Sequence, residues 1–301
     1  MVLLTGTTGF VGRLMVKALR AAGQPVRCLV RSPEKAHAQG LTDVELVQGD
    51  ILAPASLAAA MAGVEKVIHL VGIIVERGKA TFARVHYQGT GNVVAAAKQA
   101  SVKRFVQMSA LGARADADAT PYQRTKWQAE QVVVASGIPY VILRPSIIFG
   151  PGDGFVTQMV NMLRKAPLIP IVGTGDYKLQ PIFVDNVCQA FLQALTAAKA
   201  ANKVFALAGP EVLTYETIID IIARTIGIKK HKLHLPFWFA QASATLMETF
   251  FPLVGATPRV TRDQLQMLRE GSICDLRPAL ETFQLELVPF EQGLATYLKT
   301  R

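Results

Sequence analysis

Cysteine is scarce in this chain of 301 residues. Cys28, Cys188 and Cys274 stand far apart without metal-ligand spacing, which argues against a disulfide framework or a zinc site and fits a reducing compartment. Charged residues are also few, at 18%, while half the residues are hydrophobic. That balance excludes a disordered chain and calls for a large buried core. Acidic residues are the scarcer sign, 22 against 32 basic ones, so the formal net charge is +10. Even so, no five basic residues stand in a row, and the sequence offers no nucleic-acid arm. The surplus reads as a solvated surface that helps attract an anionic small molecule. A negatively charged membrane surface is the main rival partner.

Long uninterrupted apolar runs are missing too. Leu235 to Val254 (LPFWFAQASATLMETFFPLV) approaches bilayer length. Pro236, Gln241, Glu248 and Pro252 interrupt it, and charge at mid-membrane depth is costly. A buried or interfacial helix is expected there instead of a spanning one. No basic leader, apolar segment and cleavage site precede the first strand. The expectation is a cytoplasmic protein, with peripheral attachment to the inner face of a membrane left open.

What the chain does have is alternation. Short apolar runs at 2–5, 26–30, 44–47, 66–71, 104–108, 140–143 and 203–207 read as strands, and several are continuous in the manner of strands buried on both faces. Helical periodicity lies between them: Val11 to Ala22, Ser56 to Ala62, about His86 to Ala100, and Pro121 to Ala135. The fold class is therefore α/β, a Rossmann-type doubly wound parallel sheet of about seven strands. After Pro145 the pattern loosens into Gly and Pro punctuation, with a helix expected from an Asp185 cap to Ala198 and an amphipathic one over 214–226. The length suggests a large nucleotide-binding domain, 1–149 with about 183–208, and a smaller, mainly helical substrate or docking domain, about 150–182 with 209–301.

Gly6, Gly9 and Gly12 in GTTGFVG fall between a strand and a helix. This spacing allows a tight turn, close backbone approach to a pyrophosphate, and close helix–strand packing, with the anion on the helix N-terminus. An acidic residue usually ends the second strand to accept the ribose 2′-hydroxyl of NAD. Arg31 and Ser32 stand there instead. A guanidinium pairs with a 2′-phosphate, so NADP(H) is preferred, with NAD(H) still possible. Asp50, after the third strand, reads either as acceptor for the adenine amino group or as a turn aspartate.

Tyr122 and Lys126 share one helix face as an i,i+4 pair. A nearby ammonium and the charge of an oxidised nicotinamide would draw the phenol toward neutral pH as acid or base. Ser109 ends the fifth strand, where its hydroxyl can orient a substrate carbonyl. His69, within an apolar strand, reads as a satisfied interior residue, and neither it nor His86 is given a role.

In order along the chain, TGTTGFVG, Gly49-Asp50-Ile51, His69 to Gly72 (HLVG), Ser109, YQRTK, LRPSIIFGPGD and PIFVDNV resemble the short-chain dehydrogenase/reductase superfamily, in its extended or atypical NAD-dependent epimerase/dehydratase branch. HLVGIIVERGKATFARVHYQGTGNVVAAA, the short Ser109 to Tyr122 interval and TRDQLQMLREG look more narrowly like bacterial relatives of the nucleotide-binding accessory subunit of respiratory complex I. The resemblance implies Gly6, Thr8, Gly9, Phe10 and Val11 at the pyrophosphate, Arg31 at the 2′-phosphate, and Asp50 and Ile51 at adenine. It also implies Val71, Gly72, Pro145, Ser146 and Ile148 around the nicotinamide half, catalysis by Ser109, Tyr122 and Lys126, and no metal. Lys126 would also hold the ribose.

The interval before Tyr122 is shorter than in sugar-nucleotide epimerases and the serine cluster shrinks to one, so the substrate-side walls should differ. Hydride exchange with a hydroxyl or carbonyl substrate is the leading expectation. Alternatives are a non-catalytic NADP(H)-binding assembly protein of a membrane redox complex, in which the resemblance implies that such a Tyr and Lys persist without known turnover, and a redox sensor. The aromatic piece around Phe237, Trp238, Phe239, Phe250 and Phe251 fits an apolar or quinone-like substrate wall, a docking patch, or the core of the smaller domain.

Overall fold

The computed structural model describes residues 1–251 and 260–298. The chain opens with β1 (Val2–Thr5), α1 (Phe10–Ala21), β2 (Val26–Val30), α2 (Pro33–Ala38), β3 (Glu45–Gln48), α3 (Leu57–Met61) and β4 (Lys66–His69). A π-helical turn (Ala83–Gln88) runs into α4 (Gly89–Gln99), followed by β5 (Arg104–Met108), α5 (Pro121–Val134) and β6 (Tyr140–Pro145). Next come β7 (Ile148–Phe149), α6 (Phe155–Lys165), β8 (Ile169–Val172), β9 (Lys178–Leu179), β10 (Ile182–Phe183), α7 (Val184–Ala194) and β11 (Lys203–Leu207). The remainder is β12 (Leu213–Thr214), α8 (Tyr215–Thr225), β13 (Lys232–Leu235), α9 (Phe237–Phe250), α10 (Arg262–Glu270), α11 (Arg277–Thr282) and α12 (Phe290–Ala295).

Two compact units divide the chain. The first holds 1–145, 184–207 and 275–285, and the second the rest. In the first, seven parallel strands lie in the order β11-β6-β5-β4-β1-β2-β3. The order reverses between β1 and β4, which makes the carboxyl ends of these strands the natural crevice. Because successive strand residues face opposite ways, Leu3, Val67, Phe105 and Ile142 project to one face. There they join Leu57 and Met61 of α3, Val93 of α4 and Val133 of α5 in a single core. On α1, Val11, Met15 and Leu19 recur every four residues and are buried, and α1 packs against α7. Phe105 is fully buried, so Phe105→Ala removes about 3–5 kcal/mol.

The region 275–285, expected in the smaller part, belongs to the first unit. Phe283 meets Phe205 of β11 edge-on at 4.9 Å, and Gln193 and Gln284 exchange two hydrogen bonds of 2.9 Å. α7 begins one residue before Asp185 and stops at Ala194, not Ala198, as Leu195 and Thr196 bond to carbonyls three residues back and tighten its end. The long helix expected from His86 starts instead as the π turn.

The second unit packs α6, α8 and α12 around Phe149 and Phe183, with Ile218, Ile219, Ile222, Phe290 and Leu294 closing the core. Among the described residues its strands pair in twos: β7 with β10, β9 with β12, β8 with β13. The expected helix over 235–254 is α9, but Ala244 is its only buried residue, so the core-packing alternative is overturned. Pro252, Leu253 and Val254 lie outside the described residues. Among the described residues no helix is long and apolar enough to cross a membrane.

Candidate functional site

The first unit holds most of the expected residues, many of them at the carboxyl edge of its sheet. After β1 the chain turns at Gly6, whose φ of +80° favours glycine. Gly9 N–H donates to the Gly6 carbonyl at 3.0 Å, and Gly9 stands at the head of α1 without a side-chain cap. The first amides of α1, at Phe10, Val11 and Gly12, thus retain their capacity to hold an anion. A Cβ on Gly12 would sit 2.1 Å from the Gly6 carbonyl oxygen, and one on Gly6 3.1 Å from the Leu70 backbone. Turn, helix and the loop after β4 are therefore packed as closely as backbone allows. Thr8 and Gly9 are exposed and Phe10 and Val11 progressively buried.

After β2 and β3, Arg31, Gln48, Gly49, Asp50, Ala53 and Ser56 line an open groove of about 400 Å³. Arg31 is exposed within it. Ser32 caps α2 by accepting from Lys35 N–H, and its hydroxyl donates to the Glu34 carboxylate at 2.7 Å. That bond holds Glu34 below the usual carboxylate range, so a carboxylate stands beside Ser32, two residues past the strand end. Asp50, one of the groove's lining residues, accepts from Leu52 N–H at 2.9 Å through Oδ1, the turn role that spacing had left open. Ile51, expected at adenine, has its side chain in the core and its carbonyl bonded to Asn92. A groove of similar size at the opposite edge, lined by Met1, Arg20 and Pro25 among others, meets the negative end of α1 and is unsuited to phosphate.

α5 supplies the second half of the site. Thr120 and Gln123 form a capping box with Pro121 in the first turn, which fixes where the helix starts and so sets Tyr122, Lys126 and Glu130 in one row. Glu130 is buried and takes both ends of the Arg144 guanidinium, at 2.8 and 2.5 Å. Lys126 is buried, and its Nζ donates to the Met108 carbonyl at 3.3 Å, beside Ser109. Any Cβ at Gly72 would lie 2.8 Å from that Nζ. Burial pulls Lys126 down to about 8, partly offset by Glu130. It also pushes the Tyr122 phenol up to about 12, so the protein's own groups keep it protonated instead of drawing it toward neutral pH.

His86, left without a role by the sequence, bolts these parts together. Thr125 spends its hydroxyl proton on the Pro121 carbonyl at 2.8 Å, so it accepts from His86 Nδ1–H at 3.0 Å. Nε2 then accepts from Ile73 N–H at 3.0 Å. The ring stacks on Phe82 and meets Tyr122 edge-on, both at 5.4 Å between centroids. Burial and Lys126 hold His86 neutral, down to about 3. The signal for it was the π turn, which places His86 inward and leaves no mark in a 3.6-residue period. His69 is the satisfied interior residue expected, bonded to Thr5 at 2.6 Å and Thr90 at 3.1 Å.

Val71 packs against the first unit's core, and Pro145 is buried at the end of β6, accepting from Leu111 N–H. Ser146 and Ile148 belong to the second unit. There the Ser146 hydroxyl is 2.8 Å from that of Ser272, and Ile148 pairs with Ile182. Two polar atoms test whether a dinucleotide suits the site. Among the described residues Thr7 Oγ1, in the glycine turn, and Ser109 Oγ are buried without a hydrogen-bond partner, a costly state unless a ligand supplies one. With the uncapped helix and the glycine cradle, the residues fit such a group. Among the described residues no cluster of metal-ligand type is present.

Comparisons with known proteins agree with this geometry. Over 97% of its length the chain is 29% identical to 93% of the 4-hydroxy-2-methyl-3-oxo-4-farnesyl-3,4-dihydroquinoline-1-oxide ketoreductase of Stigmatella aurantiaca. It is 28% identical, over 94% of its length, to 73% of NADH dehydrogenase [ubiquinone] 1 alpha subcomplex subunit 9 of Arabidopsis thaliana mitochondria. The fold matches an NADPH-dependent quinone oxidoreductase of Escherichia coli, solved with NADPH, at a TM-score of 0.77 and 21% identity over 98% of this chain and 99% of that one. Since residues 2–208 match its pattern, the chain belongs to the NAD dependent epimerase/dehydratase family and is an NAD(P)-binding oxidoreductase.

Proposed function

We propose that this oxidoreductase prefers NADP(H) and interconverts a ketone and a secondary alcohol on a largely apolar molecule. The observation that carries the reading is the buried Lys126 Nζ, which donates to the Met108 carbonyl beside the buried, unpartnered Ser109 hydroxyl, with the half-buried, protonated Tyr122 one turn earlier on α5. Gly6, Thr8, Gly9, Phe10, Val11 and Gly12 would hold the pyrophosphate, Arg31 and Ser32 the 2′-phosphate, and Asp50 the adenine. Val71, Gly72 and Pro145 would flank the nicotinamide half, and Lys126 the ribose. When bound, the cofactor supplies or takes up the hydride.

In the reducing direction the Ser109 hydroxyl, which needs an acceptor, donates to the substrate carbonyl and orients it. Tyr122 donates its proton to the same oxygen as the carbon gains hydride, so the product is the alcohol and the phenolate must be reprotonated. Lys126, charged below about pH 8, stabilises that phenolate as it forms. His86 holds the Tyr122 ring and, through Thr125, the helix turn between Tyr122 and Lys126; it is a positioning residue. Arg31 supports the NADP(H) preference by its fit to a phosphate dianion, although Glu34 weakens the local positive field. The ketoreductase relative, whose name carries an oxo group and a farnesyl chain, supports an apolar ketone and favours catalysis over a purely structural role.

The test is a panel of apolar ketones, quinones and sugar nucleotides incubated with NADPH, with alcohol product measured by mass spectrometry. Tyr122→Phe is expected to lower turnover by about 10²–10⁴-fold with NADPH affinity little changed. Turnover that survives in Tyr122→Phe overturns the assignment.

A further inference from the structure

α9 turns its bulk outward. Trp238, Phe239, Leu246 and Phe250 are 68%, 46%, 59% and 58% exposed, whereas the single buried residue is Ala244. Trp238, Ala242, Leu246 and Phe250 stand four apart and so form one stripe along the helix. The threonine hydroxyls on that side are satisfied internally. Thr245 Oγ1 donates to the Gln241 carbonyl and Thr249 Oγ1 to the Thr245 carbonyl, each at 2.9 Å. Glu248, the helix's one acid, is tied to Arg262 at 2.7 Å. Large apolar side chains whose neighbouring hydroxyls need no water suit a non-aqueous neighbour.

Charge and continuity identify it. β13 leads through Pro236 directly into α9, and its pairing with β8 sets its other end beside the end of α6. Arg164, Lys165, Lys229 and Lys230 collect there, with Lys230 Nζ donating to the Ala166 carbonyl at 2.9 Å. Leu168 and Leu233 are exposed nearby. Neither 154–175 nor 221–247 contains a single Asp or Glu. A second copy docked through this face would add like charge at the rim, whereas anionic headgroups neutralise it. The helix has 14 residues, about 21 Å of length, well short of the roughly 30 Å hydrocarbon core.

We propose that α9 lies in the plane of an anionic bilayer, with the Trp238–Phe250 stripe in the acyl boundary and the Arg164/Lys165/Lys229/Lys230 cluster on the headgroups. The full chain is pelleted with vesicles of phosphatidylcholine alone and of phosphatidylcholine mixed with phosphatidylglycerol. Binding is expected to the anionic vesicles and to weaken as salt rises, with Trp238 emission moving to the blue in a Trp127→Phe background. Leu246→Glu combined with Phe250→Glu, both at exposed positions, is expected to weaken vesicle binding by at least about tenfold while leaving NADPH affinity unchanged. Lys229→Glu with Lys230→Glu is expected to erase the preference for anionic vesicles. The proposal fails if the wild-type protein stays in the supernatant with both vesicle types, or if the Leu246/Phe250 variant binds as well as wild type. It also fails if light scattering shows a dimer that this variant splits and no vesicle binding.

Discussion

Lysine 126 is a charge held where charge is expensive, and replacing it tests the site's electrostatics without a substrate. Burial moves it from 10.5 to about 8. At about 1.4 kcal/mol per pH unit, the protein carries about 3 kcal/mol of cost to keep this ammonium charged at pH 7. Lys126→Met keeps most of the volume and removes that cost. It also strips the Met108 carbonyl of its donor, which gives back about 1 kcal/mol. The variant should therefore be more stable than wild type at pH 7 by about 2 kcal/mol, roughly 4–8 °C in Tm for a unit of this size.

The gain must depend on pH in one direction. The native pKa lies below the unfolded one, so between pH 8 and 10.5 the unfolded chain binds more proton. Wild-type stability from this group rises through that window and the variant's advantage closes. Scanning calorimetry of both proteins at pH 7 and pH 10 reads this directly. A Lys126→Met protein no more stable than wild type at pH 7, or a difference that ignores pH, would refute the reasoning.

Gly12→Ala should lower stability by about 1–3 kcal/mol and weaken NADPH at least tenfold in calorimetry, because its Cβ has nowhere to go 2.1 Å from the Gly6 oxygen; unchanged affinity would mean that the turn is not the cradle. His69 and His86 are both held neutral down to about pH 3 from 6.5, so the unfolded chain takes up protons across that window and stability falls as pH drops through it. The urea midpoint is expected to decline from pH 6.5 toward 4, and less steeply in His86→Gln. His86→Gln should also lower kcat with little change in KM, since it acts through Tyr122 and Thr125; an effect on KM alone would make its role one of substrate contact.

Much of the first unit is legible in the sequence because strands buried on both faces are continuous apolar runs cut off by glycine. β1, β2, β5 and β11 match their expected bounds to the residue, while β3 shifts by one because Glu45 and Gln48 lie on a half-exposed edge strand. The glycine turn was legible for the same reason: three glycines have a backbone reason to be where they are. The π turn was not, since one extra residue in a helix leaves its apolar spacing nearly intact. Nor were β7, β9, β10 and β12, as two residues carry no period. Ile51 shows a subtler loss: its position in the motif follows β3, but side-chain direction sent it into the core. α9 was expected from its hydrophobicity, yet composition alone cannot tell which way a helix turns its bulk.

The central claim is an NADP(H)-using oxidoreductase whose proton donor is Tyr122. Calorimetric titration of wild type, Arg31→Ala and Tyr122→Phe with NADPH and NADH, followed in the same samples by addition of an apolar ketone and measurement of NADPH consumed, tests it most directly. The account predicts at least tenfold tighter NADPH than NADH, about 1.4 kcal/mol or more, with that preference lost in Arg31→Ala and kept in Tyr122→Phe, and NADPH consumed only where Tyr122 is present. Equal binding of NADPH and NADH by the wild-type protein, or undiminished consumption in Tyr122→Phe, would contradict it.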